Sequence, residues 1–556
     1  MRTETDKAKL YDRQLRLWQE SGQAALENAC VCVFGSSALA AESLKNLVLP
    51  GIGRFVVVDD AAVDEQDVLT NFFVGSKDVG RPRAQCVVEN LCELNPAVQG
   101  TAIVRSAEDA LSAGASGVIS SASLVIACGL AEHTVRQISE ICWSAHTPLV
   151  CASTAGFAAR LRTSVPEHAA VESHVGLKSD LRLLSPFPAL RDYAEAVDLD
   201  SLDETDAGHV PYVIIILKAL QRWAASSNSQ EDIARRNMPI PYSSKQQIRE
   251  LILQAAPAPG EENFQEAYSH FIADCTPYEI PGEVSQILDD PACTSVSAQS
   301  DKFWILAHAL RRYVQSVYSQ GELPLSGTIP DMKADTRSYI ALQRIYKQKA
   351  DQDKAEVSRH VHETLQMIGL PTDYVSAGEI DTFCKNAHRL RLLRCTPIHT
   401  ELDSGPTQPS ALSGSGALDH YVLFRASDAF LAKHARYPGA PSSSKAADSV
   451  APGGDAANGN SLNSSLDLDD LVSADTLELS AIANGMLASW GVDSDVSSDI
   501  AAEFVRSGHC ELHNIASMAG GLVSQEAIKL ITHQYVPANN LCIVDGASAR
   551  ILVAKI

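Results

Sequence analysis

Positive charge is scarce in this 556-residue chain: 45 Lys and Arg stand against 68 Asp and Glu, a formal net charge of −23. That balance argues against nucleic acid or an anionic membrane as the main partner, since both attract cationic surfaces. Long apolar runs are scarce as well. The longest worth testing, Val210 to Leu217, is closed by Lys218 and falls far short of the ~20 residues a spanning helix needs. Met1 to Trp18 is charged throughout and lacks the apolar stretch of a secretory signal, and Ile551 to Ile556 carries no lipidation signal. The expected setting is therefore soluble, in cytoplasm, nucleus or both. Cysteines number 13, but none forms a CxxC pair, which removes the usual zinc and redox motifs, so no metal site is expected. Cys30 and Cys32 read as small apolar residues of a buried strand.

What is present is an alternation of strands and helices. Cys30 to Phe34 is a short apolar run, Gly35-Ser36-Ser37 a turn, and Ala38 to Leu49 a helical pattern ended by Pro50-Gly51. Arg54 to Val58 is a second strand with Asp59 and Asp60 at its end. Further strands are expected at Thr101 to Val104, Ser123 to Ala127 and Pro148 to Cys151. This pattern predicts an α/β fold with a Rossmann-like parallel sheet whose ligands sit at its C-terminal edge.

Past Val165 the texture turns helical: Tyr193–Arg222, Lys245–Gln254, Asn263–Ala273, Lys302–Tyr318, Ser338–Ile368 and Ala377–Arg394 are the expected helices. Asn514–Thr532 is another, with Asn514 as N-cap and Gly520-Gly521 allowing close backbone packing. Leu541–Asp545 and Arg550–Ala554 read as closing strands. The expected division is an α/β domain in two parts, 1–166 and 481–556, split by a mainly helical insertion over 167–480. Within it, 403–416 and 438–470 are too poor in apolar residues to offset ordering entropy and are expected to be disordered.

A strand, glycine turn and helix place backbone N–H groups where a nucleotide phosphate would sit. The GxGxxG fingerprint is incomplete here, however. Gly35 keeps the first glycine, but the second falls on Ser37 and the third on Ala40. Asp59 could hold a ribose hydroxyl or simply cap the strand edge. Without the full fingerprint or an evident catalytic dyad, a dinucleotide-dependent oxidoreductase is the weaker reading.

Longer motifs follow one another in order. They are Tyr11 to Trp18 (YDRQLRLW), Lys45 to Gly53 (KNLVLPGIG), Asn71-Phe72-Phe73 and Val79 to Ala84 (VGRPRA). Phe303 to Ala307 (FWILA), Gly327 to Ala334 (GTIPDMKA), Arg436 to Gly439 (RYPG) and Gly520 to Ile531 continue the series. The chain resembles the non-catalytic subunits of the ubiquitin-like-protein activating enzymes, which carry a ThiF/MoeB-like adenylation fold. Among these it is most similar to the regulatory subunits of neddylation activating enzymes. The corresponding SUMO-pathway subunits share the opening motif but lack the FWILA and GTIPDM region.

The resemblance implies a heterodimer. A catalytic subunit would supply the ATP and Mg²⁺ site and the acceptor cysteine, and the pair would activate a ubiquitin-like modifier. This chain would bind no cofactor alone. Of the family's ATP-handling positions only Asp59 keeps its residue, leaving Gly35 and Asp59 as vestiges. The others fall on Ala61, Leu69, Thr70, Asn71, Arg83 and Ala131. Cys275, Cys293, Cys384 and Cys395 lie in the expected insertion, and only Cys395 follows a basic run that could lower its pKa. Arg13 is implied to reach across and contact phosphate in the partner's site, with Leu15, Leu17 and Trp18 anchoring its helix. A stretch aligned with contacts to the catalytic subunit gives the interface candidates Pro330, Asp331, Met332, Lys333, Ala334, Asp335, Tyr339 and Gln343. A scaffold with no part in chemistry differs from this reading only at Arg13.

Overall fold

Five successive apolar residues leave Cys30–Phe34 no polar face, and the strand they form, β1, is buried along its whole length. In this computed structural model the described residues are 9–112, 114, 116–226, 240–412, 416–440, 461–508 and 510–556. β1 lies inside an eight-stranded sheet of order β10-β9-β6-β5-β4-β1-β2-β3. The other strands are β2 (Arg54–Val58), β3 (Gln99–Ile103), β4 (Leu124–Cys128), β5 (Leu149–Ala155), β6 (Ala158–Ser164), β9 (Leu541–Asp545) and β10 (Arg550–Ala554). β3, β2, β1, β4 and β5 are parallel, as expected. β6, β9 and β10 extend the sheet in antiparallel fashion. A separate two-stranded sheet pairs β7 (His168–Ala170) with β8 (Arg391–Leu393).

The chain forms two compact units, residues 1–168 with 393–556, and residues 169–392. The first boundary falls two residues from the expected one. The second is a correction: residues 393–480 belong to the α/β unit. Helices α13 (Ile398–Ser404), α14 (Ala417–His434), α15 (Ser461–Ser489) and α16 (Ser498–Arg506) fold there, and Tyr421, Phe424, Leu479 and Leu487 form a core with Leu541 and Ile543 of β9. Helical texture alone could not show that these helices cover a sheet face.

On the opposite face, α1 (Asp12–Asn28), α2 (Ala38–Val48), α4 (Arg83–Leu94) and α17 (His513–Thr532) pack over β1, β2 and β4. A Cβ on Gly520 would stand 2.8 Å from the Glu42 Cβ and 2.9 Å from the Ser43 nitrogen, so α17 and α2 touch backbone to backbone there; around Gly521 the space is open. Leu512, not Asn514, is the N-cap of α17. α5 (Glu132–Ser144) lies on the α13 side of the sheet, where Ile398 shares a core with Ile138 and Cys142.

The helical unit is built on α6 (Pro188–Ala196), α7 (Tyr212–Ser226), α8 (Tyr242–Gln254), α9 (Glu262–Asp274), α10 (Lys302–Gln315), α11 (Thr336–Ile368) and α12 (Ala377–Lys385). The expected helix Tyr193–Arg222 is thus interrupted, and Ala377–Arg394 ends early in β8. The apolar run Val210–Leu217 is core, fully enclosed from Tyr212 onward. Among the described residues no helix is long and apolar enough to cross a membrane.

The disorder expectations are corrected at their edges. Ser404 ends α13, Leu412 is fully buried, and Gly405 packs against Trp490. Pro438–Ala440 is ordered by Gly439, whose N–H donates to Asp475 Oδ2 at 2.8 Å, and residues 461–470 lie in α15. Residues 413–415 and 441–460 of those stretches lie outside the described residues.

Candidate functional site

The cleft at the C-terminal edge of β1 is shaped first by Gly35. Its φ of +94° is one that L side chains rarely adopt, and a Cβ there would stand 2.5 Å from the Cys128 carbonyl oxygen. Ser36 then turns the chain into α2. Its N–H donates to Asp59 Oδ2 at 3.0 Å and its hydroxyl donates to the same oxygen. Asp59 Oδ1 accepts from the Ala61 N–H at 3.0 Å.

Arg83, at the head of α4, completes this arrangement. Its Nη2 donates to Asp59 Oδ2 and its Nη1 to Asp67 Oδ1, both at 2.9 Å, and its Nε donates to the Ser36 hydroxyl at 3.1 Å. Asp67 belongs to α3 (Glu65–Thr70), whose N-cap Asp64 holds it in a capping box. Burial alone would raise the Asp59 pKa, but the Arg83 charge and the bonds from Ser36 and Ala61 outweigh it and hold the carboxyl below its ordinary value. Arg83 likewise stays charged against its burial because Asp59 and Asp67 flank it. Asp59 and Arg83 therefore satisfy each other.

The N-terminus of α2 is met by one of the protein's own carboxylates. Glu511 arrives on the loop before α17, tied to the β5–β6 turn by Gly156 N–H donating to the Cys510 carbonyl at 2.9 Å. Its Oε1 accepts from the Ser37 hydroxyl at 3.0 Å and Thr154 Oγ1 at 3.3 Å, and its Oε2 from the Leu39 N–H at 3.4 Å. Burial raises the Glu511 pKa, and Ser37, the first N–H groups of α2 and Arg83 pull it back only in part. A nucleotide phosphate does not fit these residues, because a carboxylate already stands where the helix N–H groups point. Sequence reasoning missed Glu511, Asp67 and Thr154. Glu511 lies 474 positions from Ser37, so no local pattern could pair them.

The other positions carried over from the family are placed as follows. Ala131 is the N-cap of α5 and contributes no side-chain cap. Asn71 is buried, bonding the Ser36 carbonyl and the Phe73 N–H. Leu69 and Phe72, to either side of it, are 83% and 80% exposed.

In YDRQLRLW the anchors are Tyr11 and Trp18. Tyr11 lies under Gly51 and accepts from Asn95 Nδ2 at 3.0 Å; Trp18 is buried over Gly22. Leu15 and Leu17 were expected to anchor too, but Leu15 is half-buried and Leu17 is 48% exposed. Arg13 stands on the exposed face of α1. Its neighbour Asp12 is paired with Arg16 at 3.1 Å, and Arg13 pairs with no acid among the described residues.

In the interface stretch, Met332 is a correction: it is 8% exposed and packs into the helical unit's own core. Asp335 is the N-cap of α11, accepting from the Ser338 N–H. Lys333 is paired with Glu262 at 2.9 Å. Asp331, Lys333 and Gln343 are exposed, and Pro330, Ala334 and Tyr339 are half-buried. Cys275, Cys293, Cys384 and Cys395 are all buried, and burial raises every one of these thiols, Cys293 and Cys384 to about 12. Cys395, behind its basic run, belongs to the α/β core.

Comparison with known proteins adds three findings. The ThiF family matches residues 11–556. A NEDD8-activating enzyme E1 regulatory subunit of Danio rerio is 36% identical over 556 residues, covering 98% of each chain. Proteins of the same name from Xenopus laevis and Drosophila melanogaster are 35% and 34% identical, covering 97% of both chains in the first case, and 99% of this chain and 98% of the relative in the second.

Proposed function

The chain belongs to the ThiF family, among the NEDD8-activating enzyme E1 regulatory subunits, and from that membership we propose that it is the non-catalytic half of a heterodimer. The catalytic partner supplies the ATP and Mg²⁺ site and the acceptor cysteine. In the joint reaction the C-terminal carboxylate of the ubiquitin-like modifier attacks the α-phosphorus of ATP and pyrophosphate leaves. The partner's thiolate then takes the acyl group and AMP leaves.

This chain's part is Arg13. The observation that carries the reading is a contrast in pairing. Arg83, Asp59 and Asp67 of its own cleft are committed to one another, while Arg13 is exposed and pairs with no acid among the described residues. A guanidinium is permanently charged and forks onto phosphate oxygens, which suits a group offered to another subunit's site. The exposed apolar side chains of Leu69 and Phe72 are a surface for the partner to cover. In the stretch from Pro330 to Gln343, Asp331, Lys333, Tyr339 and Gln343 present the contact face, and Met332 props it from within.

The test is single-turnover adenylate formation by the heterodimer. Arg13→Ala should leave the complex intact by size-exclusion chromatography and slow adenylation about 10- to 100-fold, with Arg13→Lys recovering part of the loss. An intact complex working at the wild-type rate would make Arg13 a surface residue of a pure scaffold.

A further inference from the structure

We propose that Glu511 decides which of the two related clefts in the heterodimer takes nucleotide: it shuts this chain's cleft by seating its own carboxylate where a phosphate would bind. The inference rests on the reading that this chain does not handle ATP alone, and it names the group responsible.

The loss of ATP-handling residues does not by itself close a phosphate seat. The backbone that makes the seat is still here. Gly35 keeps its turn at φ +94°, and α2 is an 11-residue helix whose first N–H groups have no partner within the helix. Ser37 is the N-cap, yet its side chain makes no cap bond to α2. Its hydroxyl donates to Glu511 instead, and Thr154 and the Leu39 N–H converge on the same carboxylate. Glu511 thus caps α2 from a distant part of the sequence. A half-buried carboxylate is costly unless donors meet it, and here hydroxyls, helix N–H groups and the nearby Arg83 charge supply what a phosphate would otherwise use.

Ser37 and Thr154 reach only one carboxylate oxygen, Oε1. A shortened side chain at 511 should therefore release both hydroxyls and the α2 N–H groups together. Glu511→Gln, by contrast, keeps the shape and blocks the seat while removing the charge.

The experiment uses the full chain, with inorganic phosphate as the probe against chloride at equal ionic strength. Glu511→Ala and Glu511→Ser should show a saturable rise in Tm with phosphate, with an apparent affinity on the order of tenfold or more above any seen for wild type. Wild type and Glu511→Gln should stay flat. A flat response from both shortened variants would reduce Glu511 to a structural tie, as would an equal rise in wild type. Should the shortened variants not fold in chloride, refolding yield against phosphate concentration carries the same two outcomes. Saturable binding of ATP by the wild-type chain would instead overturn the non-catalytic reading itself.

Discussion

A guanidinium at position 83 decides what these side chains can do. A Lys is a point charge that can turn toward a ligand, whereas the Arg83 fork holds Asp59 and Asp67 at once, with both bonds at 2.9 Å. Asp59 was read as a vestige and Arg83 as a changed position, and both were legible from their types. Their mutual pairing was not, because it depends on α3 bringing Asp67 alongside. A second buried residue sets a pH response. His168 is enclosed, its ring stacked on His533 at 4.5 Å, and burial, helped by His533, pushes its pKa down to about 3. Between about pH 6.5 and pH 3 the unfolded chain takes up a proton that folded His168 refuses, so stability falls as pH drops through that window. His168 Nε2 has no hydrogen-bond partner, so His168→Phe forfeits none at that atom. Unfolding free energies measured at pH 7 and 4.5 should fall by about 2 kcal/mol less in His168→Phe than in wild type. Equal losses in the two proteins would sink this assignment.

Strands were legible where apolar runs are short and bounded, from the fully buried β1 to the mostly exposed β10. β1, β2, β9 and β10 fall on the expected residues because each is a short run of β-branched or apolar side chains between turns. β6 was missed because Arg160 and Arg162 interrupt its pattern. They sit on an inner face where Arg162 pairs with Glu401 of α13 and Arg160 lies 3.6 Å from Asp428 of α14. A sheet face covered by acidic helices cannot be read from strand composition. The segment after α14 was misread for the opposite reason: it is rich in Gly, Ser and Pro, yet one glycine in it is structural. Gly439 has φ +81°, and a Cβ would stand 1.9 Å from the Val505 carbonyl oxygen. Gly439→Ala should cost about 2–4 kcal/mol and lower Tm by several degrees. Excising residues 441–460 should move Tm little, since loop-closure entropy changes slowly with length. The reverse ranking by differential scanning fluorimetry would show that the packing attributed to Gly439 lies beyond Ala440.

At the scale of the whole molecule, the two units carry separate cores. The helical unit has its own cores, one around Tyr212 and Phe271, another around Trp304 and Phe383. The α/β unit has a cleft whose charges are internally matched. The isolated chain, given ATP and the modifier, should therefore catalyse no ATP–pyrophosphate exchange above background, and adding the catalytic subunit should restore it. Exchange by the chain alone at the heterodimer rate would refute the division of labour. The order of the strands also carries a consequence for synthesis. β9 pairs with β6, yet Ser164 and Leu541 are 377 positions apart. At about 5–20 residues per second a ribosome needs roughly 20–75 s to make what lies between them. For that time the nascent α/β half carries β6 with one edge unpaired, and for most of it α2 lacks its Glu511 cap, while the intervening helices emerge. A bare strand edge is a template for the wrong neighbour. The interval before β9 appears is thus when this polypeptide most needs a chaperone.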